Sequence, residues 1–74
     1  MESSKNQISS KVGASIRAKR LSKGMTIERL AADANMEYTQ LSRIELGQIN
    51  TSLFQVYKIA QALDVKMCDL FQNI

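Results

Sequence analysis

The sequence predicts an all-α protein: a compact bundle of five short helices in a single domain. Three observations carry this. Apolar residues recur at the i, i+3, i+4, i+7 spacing of a helix face in successive windows, as in Ile27, Leu30, Ala31 and Ala34. There is no proline, and two of the three glycines, Gly24 and Gly47, fall where a periodic stretch ends. Polar breaks of a few residues separate the windows, as in a helical bundle. Seventy-four residues make one small domain, read here as a flexible arm over 1–7 and a helical unit over 8–74.

The first helix is expected from an N-cap at Ser9 or Ser10 to about Lys23, with Ile8, Val12 and Ile16 as its apolar stripe. The next step of four lands on Arg20, a charge on a core-facing stripe that asks for a partner. Thr26 can cap a second helix that stops near Ala34, where Asn35 tolerates a left-handed turn. A third helix runs from about Glu37 to Leu46 and ends at Gly47. On it Glu45 follows Leu41 by four residues, beside the apolar face, and is the natural partner for Arg20. Two separate snorkelling side chains are the alternative. Ser52 with Gln55 forms a capping-box signature ahead of a fourth helix through Leu53, Val56, Tyr57, Ala60 and Leu63. A fifth, over about Met67–Gln72, closes the chain.

Composition excludes several functions. There is no histidine, no paired-cysteine metal spacing, no glycine-rich phosphate loop and no nucleophile elbow. No catalytic residue, metal or cofactor is therefore assigned, and the protein is read as a non-enzyme. The single cysteine, Cys68, reads as a buried or half-buried structural thiol in a reducing cytoplasm. No apolar run is long enough to span a membrane, and nothing suggests a small-molecule ligand. Charge is uneven. Residues 1–24 carry six basic groups against one acid, a net of +5, whereas residues 25–74 carry four against six, a net of −2. Such asymmetry suits a polyanionic partner on one face.

The segment Thr26–Gly47 is the most informative. Two short helices joined by a polar break fit a helix-turn-helix, whose second helix can enter the major groove of DNA. Opposite the apolar Leu41 and Ile44, that helix carries Thr39, Ser42, Arg43 and Leu46 at i, i+3, i+4, i+7. Arg43 can address guanine O6 and N7, Thr39 a thymine methyl or an acceptor, and Ser42 a base or a phosphate. Tyr38 stands near the N-terminal end, where it can meet a base edge or a phosphate.

These residues lie within a longer resemblance. The run IRAKRLSKGMTIERLAADANMEYTQLSRIELG, continued by INTSLFQVYKIAQALDV and MCDLF, resembles the Cro and phage-repressor type of helix-turn-helix, the xenobiotic-response-element family. It covers about residues 12–71. The resemblance implies a lambda-repressor-like bundle of four or five helices with an interhelical Arg20–Glu45 pair. It also implies base contacts at Glu37, Tyr38, Thr39, Ser42 and Arg43, and phosphate contacts at Thr26, Ile27, Gln48, Asn50 and Ser52. Three departures stand out. The family often has glutamine at the position of Ile27, and glycine at those of Asn35 and Asp64. The loop before the fourth helix has no basic residue, so Arg17 and Lys19, with Lys5 and Lys11, are expected to supply charge. The subfamily suggested by INTSLFQVYKIAQALDV is the controller proteins of restriction–modification systems, with small phage-type repressors next.

One helix reads only a few base pairs, so useful specificity asks for two modules. The expectation is a homodimer on a palindromic site in double-stranded DNA. Tyr57, Leu70, Phe71 and Ile74 are its expected interface, Leu70 also closing the core. The rival reading is a protein-interaction module on the same bundle, such as an antitoxin-like partner-binding domain.

Overall fold

A computed structural model describes residues 5–72 of the chain. It contains four α-helices: α1 (Lys5–Ser22), α2 (Ile27–Asp33), α3 (Tyr38–Glu45) and α4 (Leu53–Leu63). The expected fifth helix is instead a single 3-10 turn, Met67–Leu70. The five-helix count is thus corrected to four helices and one turn. Lys66 is extended, and only four residues remain before Phe71 leaves the helical range, enough for one tight turn. α1 also begins earlier than expected: residues 5–7 are its first turn, so neither Ser9 nor Ser10 is its cap. The remainder of the expected arm lies outside the described residues.

The four helices stop by the same device. Gly24, Asn35, Gly47 and Asp64 all have positive φ, between 56° and 73°. The next residue's amide then reaches back five positions, Met25 to Arg20, Met36 to Ala31, Gln48 to Arg43 and Val65 to Ala60, at 2.9–3.1 Å. Orphan carbonyls at each helix end are satisfied in this way. Met25, Met36 and Val65 then tuck partly against the core. Only the first and third of these positions are glycine, so the asparagine and the aspartate bear the left-handed conformation that a glycine adopts without strain.

Two of the three predicted caps, Thr26 and Ser52, form at helix starts. Thr26 Oγ1 accepts from the Arg29 amide, and Ser52 Oγ accepts from the Gln55 amide, each at 3.1 Å. The capping box at Ser52 is only half made, because Gln55 Oε1 is buried without a partner among the described residues.

The core gathers one face of every element. Ile16, Leu30, Leu41, Ile59, Leu63 and Leu70 are its largest fully buried side chains. Each contributes roughly 1.5–3 kcal/mol by leaving water. Leu70, at 0% exposure, belongs to this core and is unavailable to a partner. Cys68, expected to be at least half-buried, is exposed, because the 3-10 turn directs Leu70 inward instead.

Close helix approach sets the position of α3. α1 and α3 make the most extensive contact in the fold. At their crossing a Cβ on Gly13 would overlap the Ile44 carbonyl oxygen and lie 2.7 Å from that of Glu45. Glycine is required there for space, since the backbone is helical. Gly47 has a similar role just past the end of α3, where a Cβ would lie 2.6 Å from Ser10 Oγ.

Candidate nucleic-acid interface

Leu41, Ile44 and Glu45 face inward on α3 and are buried. The opposite side is left open: Thr39 and Arg43 are exposed, Ser42 and Gln40 half-buried, and Tyr38 exposed at the first turn. Glu37 caps the helix by backbone alone and leaves its carboxylate in solvent. Leu46 continues the stripe, 62% exposed. An exposed stripe of a hydroxyl and a guanidinium, flanked by a phenol and a second hydroxyl, can make several directed hydrogen bonds to an edge laid against it.

Behind the stripe, Arg20 and Glu45 are joined. Arg20 Nε donates to Glu45 Oε2 at 2.8 Å and Nη2 to Oε1 at 3.0 Å, with side-chain exposures of only 8% and 3%. Arg20 Nη1 donates to the Met25 carbonyl at 2.9 Å. One guanidinium therefore ties the end of α1, the α1–α2 turn and α3 together. The pairing was legible from the two stripes, but the Met25 bond was not.

The structure brings several of the expected residues into one recess. Arg17, Ile27, Ser42 and Leu46 line it, over a floor of Arg20 and Glu45. The start of α2 thus adjoins the outward side of α3. Ile27 is half-buried and packs against the core, so its side chain holds no phosphate. Its amide and that of Glu28 precede the first bond of the α2 ladder, from Leu30 to the Thr26 carbonyl, and remain available as donors. The Thr26 hydroxyl, already accepting from Arg29, keeps its proton to donate.

Other expected residues are placed apart. Lys19 stands two positions after Arg17, a rotation of roughly 200° around the helix. It lines a different hollow, with Ser15, Ser22, Asp69 and Gln72 beside the 3-10 turn. Gln48, Asn50 and Ser52 are exposed in the connection that follows α3. Ser52 Oγ is engaged in capping α4, and the Gln48 amide in closing α3. No group of three or more histidine, cysteine, aspartate or glutamate residues able to hold a metal occurs among the described residues.

Sequence reasoning named Tyr57 as an interface residue but missed the wider exposed apolar face on α4 to which it belongs. Leu53, Phe54 and Tyr57 are exposed to 73%, 65% and 46%. Lys58 Nζ lies 5.3 Å from the centre of the Phe54 ring and donates to the Asn35 carbonyl, leaving the ring's other side open. The signal was present, since Leu53 and Phe54 fall at successive positions and a single helix face cannot bury both. Phe71 is half-buried and packed against the core. Ile74 lies outside the described residues.

With this geometry in place, similarity to known proteins is informative. The helix-turn-helix family pattern matches residues 16–70. Control protein C.BamHI from Bacillus amyloliquefaciens is 41% identical over 66 residues, covering 88% of this chain and 82% of its own. The restriction-modification controller protein C.AhdI from Aeromonas hydrophila has a crystal structure with a TM-score of 0.83 at 35% identity, covering 85% of this chain and 96% of its own. The clp gene regulator ClgR from C. glutamicum gives 0.82 at 27%, covering 85% and 82%. No helix among the described residues is long and apolar enough to cross a membrane. Helix order, the turn between α2 and α3 and these similarities agree: the chain belongs to the helix-turn-helix family of the Cro and phage-repressor type.

Proposed function

We propose that this protein is a sequence-specific DNA-binding transcriptional regulator of the restriction–modification controller type, acting in the cytoplasm as a homodimer on a palindromic operator. The observation that carries this is the outward stripe of α3, exposed and rich in directed hydrogen-bonding groups, on a helix held from behind by Arg20 and Glu45. α3 lies in the major groove, with Arg43 on a guanine, and with Thr39, Ser42 and Tyr38 on neighbouring edges or phosphates. Glu37, at the groove end of the helix, accepts from a cytosine amino group.

Phosphates are held on the flanks. On one side stand the Thr26 hydroxyl, the free amides at the start of α2 and the Arg17 guanidinium; on the other stand Gln48, Asn50 and Ser52. Lys19 adds charge at longer range. The family's phosphate-gripping glutamine is replaced by Ile27, so backbone donors and Arg17 take over its work.

The second copy packs on the α4 face of Leu53, Phe54 and Tyr57, with Phe71 at its edge. An apolar patch of this kind is what an obligate interface covers. Two recognition helices then stand about one DNA turn apart, roughly 34 Å.

Selection of bound sites from a random double-stranded library tests this reading. An enriched palindrome at moderate salt is expected, its half-site spacing reporting the dimer. Recovery of no preferred sequence would leave the protein-interaction module as the better account.

A further inference from the structure

We propose that Gln40 is a specificity-determining residue whose side-chain amide reads one adenine in each half-site, beside the guanine met by Arg43. This rests on the DNA-binding reading above and adds a base contact to it. Gln40 is the third residue of α3, in its first turn, and a recognition helix meets base edges through its N-terminal residues. It stands about 60° around the helix and about 4.5 Å along it from Arg43, roughly one base-pair step of 3.4 Å. Gln40 and Ser42 flank Leu41 and diverge from it by about 100° in opposite senses. Ser42 opens on the recess with Arg17 and Ile27, where phosphates are held, and Gln40 is turned away from it. The connection carrying Gln48, Asn50 and Ser52 leaves the other end of α3 at Gly47, roughly 10 Å along the axis from Gln40. Gln40 thus stands clear of both phosphate-holding flanks.

The side chain is prepared for such a contact. Unlike the exposed Tyr38 and Thr39 beside it, Gln40 is half-buried. Its amide makes no hydrogen bond among the described residues, and neither amide atom is sealed from solvent as Gln55 Oε1 is. The fold restricts the side chain but leaves its polar end unspent, so ordering it on DNA costs less than ordering a free one. An amide offers one acceptor and one donor side by side. Adenine is the one base whose major-groove edge is the complement, its N6 amino group donating and its N7 accepting. Guanine shows two acceptors there, which suit the Arg43 guanidinium, whereas cytosine and thymine each show a single polar group. Thr39 and Ser42, with one hydroxyl apiece, cannot make that distinction.

The experiment uses the operator recovered by selection, with each adenine replaced in turn by 7-deazaadenine in both half-sites. That analogue pairs normally with thymine and lacks only the N7 acceptor. Wild-type protein is expected to lose affinity at one position, by about tenfold per half-site, within the worth of one bidentate pair. Gln40→Met, which keeps the length and the apolar stem, should bind the natural operator more weakly by a similar factor and be indifferent to the analogue at that position. Gln40→Glu, which has no donor for N7, should lose the same sensitivity and shift preference there toward cytosine. Unchanged circular dichroism and melting establish that these variants fold. Three results overturn the proposal: wild-type indifference to 7-deazaadenine everywhere, full sensitivity kept by Gln40→Met, or an equal loss by Gln40→Met on operator and scrambled DNA. The last would mean a phosphate contact. If selection yields no operator at all, the DNA-binding reading fails and this one with it.

Discussion

Arg20 holds Glu45 through two parallel hydrogen bonds, and the same guanidinium reaches the Met25 carbonyl. Glu45 is on the inner side of α3, one residue from Leu46 and two from Arg43 on the outer side. The pair therefore acts on how α3 is presented as well as on stability. It fixes α3 to α1 at a bidentate geometry that a lysine could not reproduce.

Glu45→Ala leaves a buried guanidinium with only the Met25 carbonyl. Loss of about 3–5 kcal/mol is expected, read by urea denaturation followed by circular dichroism. The double replacement Arg20→Met with Glu45→Leu should recover most of that loss, since two apolar groups of similar size leave no charge stranded. A near-zero shift for Glu45→Ala would contradict the burial found for both side chains.

Gly13 and Gly24 differ in what they provide, and alanine at each separates the two. At Gly13 the obstruction is backbone, the carbonyls of Ile44 and Glu45, which cannot swing aside as a side chain can. Gly13→Ala should cost about 3 kcal/mol, at the upper end of overpacking, as α1 is pushed from α3. At Gly24 nothing lies within 4 Å of the added carbon, but φ is +69°. Gly24→Ala should cost only about 1 kcal/mol, from the left-handed backbone alone. Melting temperatures rank the two.

The four helices were readable because each needs only local signals: an apolar stripe, a cap such as Thr26 or Ser52, and a stop such as Gly24 or Gly47. Arg20 and Glu45 could be matched because both interrupt stripes that must face the same core. Nonlocal geometry was not readable in this way. Nothing in the spacing around Gly13 reveals that a carbonyl from α3 presses on it. Lys19 and Arg17 looked equivalent as charges until the helix rotation put them in different hollows. The end of the chain is ambiguous in the sequence because Leu70 and Phe71 form an apolar pair that suits a core and an interface equally. Packing against α1 and α4 puts Leu70 in the core and leaves Phe71 half-buried at its edge.

Asp64 takes the position that glycine fills after α1 and α3, with φ at +58°. Asp64→Gly relieves that conformation but makes the unfolded chain more flexible, so the two effects oppose. A net gain of about 0.5 kcal/mol is expected, since relief of the left-handed strain outweighs the added chain entropy. A loss of stability on calorimetry would mean that Asp64 gains something beyond its backbone at this turn.

On DNA, Arg43→Ala and Arg17→Ala should fail differently. Arg43 stands on the base-reading stripe, and its removal should cost about 1–3 kcal/mol and relax preference at one base pair. Arg17 lies in the recess by the start of α2. Its removal should weaken all sequences alike and lower the salt slope by about one unit per protomer. Lys19→Ala, on the other side of α1, should change the slope less. Titrations at several salt concentrations against operator and scrambled duplexes distinguish these outcomes.

The dimer face is decided by a contrast between Phe54 and Phe71. Phe54 is 65% exposed, on a helix face that also presents Leu53 and Tyr57, whereas Phe71 is half-buried against the core. Phe54→Asp places a charge in the middle of the proposed contact and takes from the fold only the exposed Lys58 contact on the ring. It should sediment as a monomer with an unchanged melting temperature at low concentration. Its affinity for a full operator should drop toward that for a half-site. Phe71→Asp forces a carboxylate into a groove whose apolar lining includes Ile8, Val12, Ile44, Ile49, Leu53 and Val56. It should lower the melting temperature while the folded fraction still sediments as a dimer. The reverse pattern, a monomer from Phe71→Asp and a stable dimer from Phe54→Asp, would move the interface from α4 to the end of the chain.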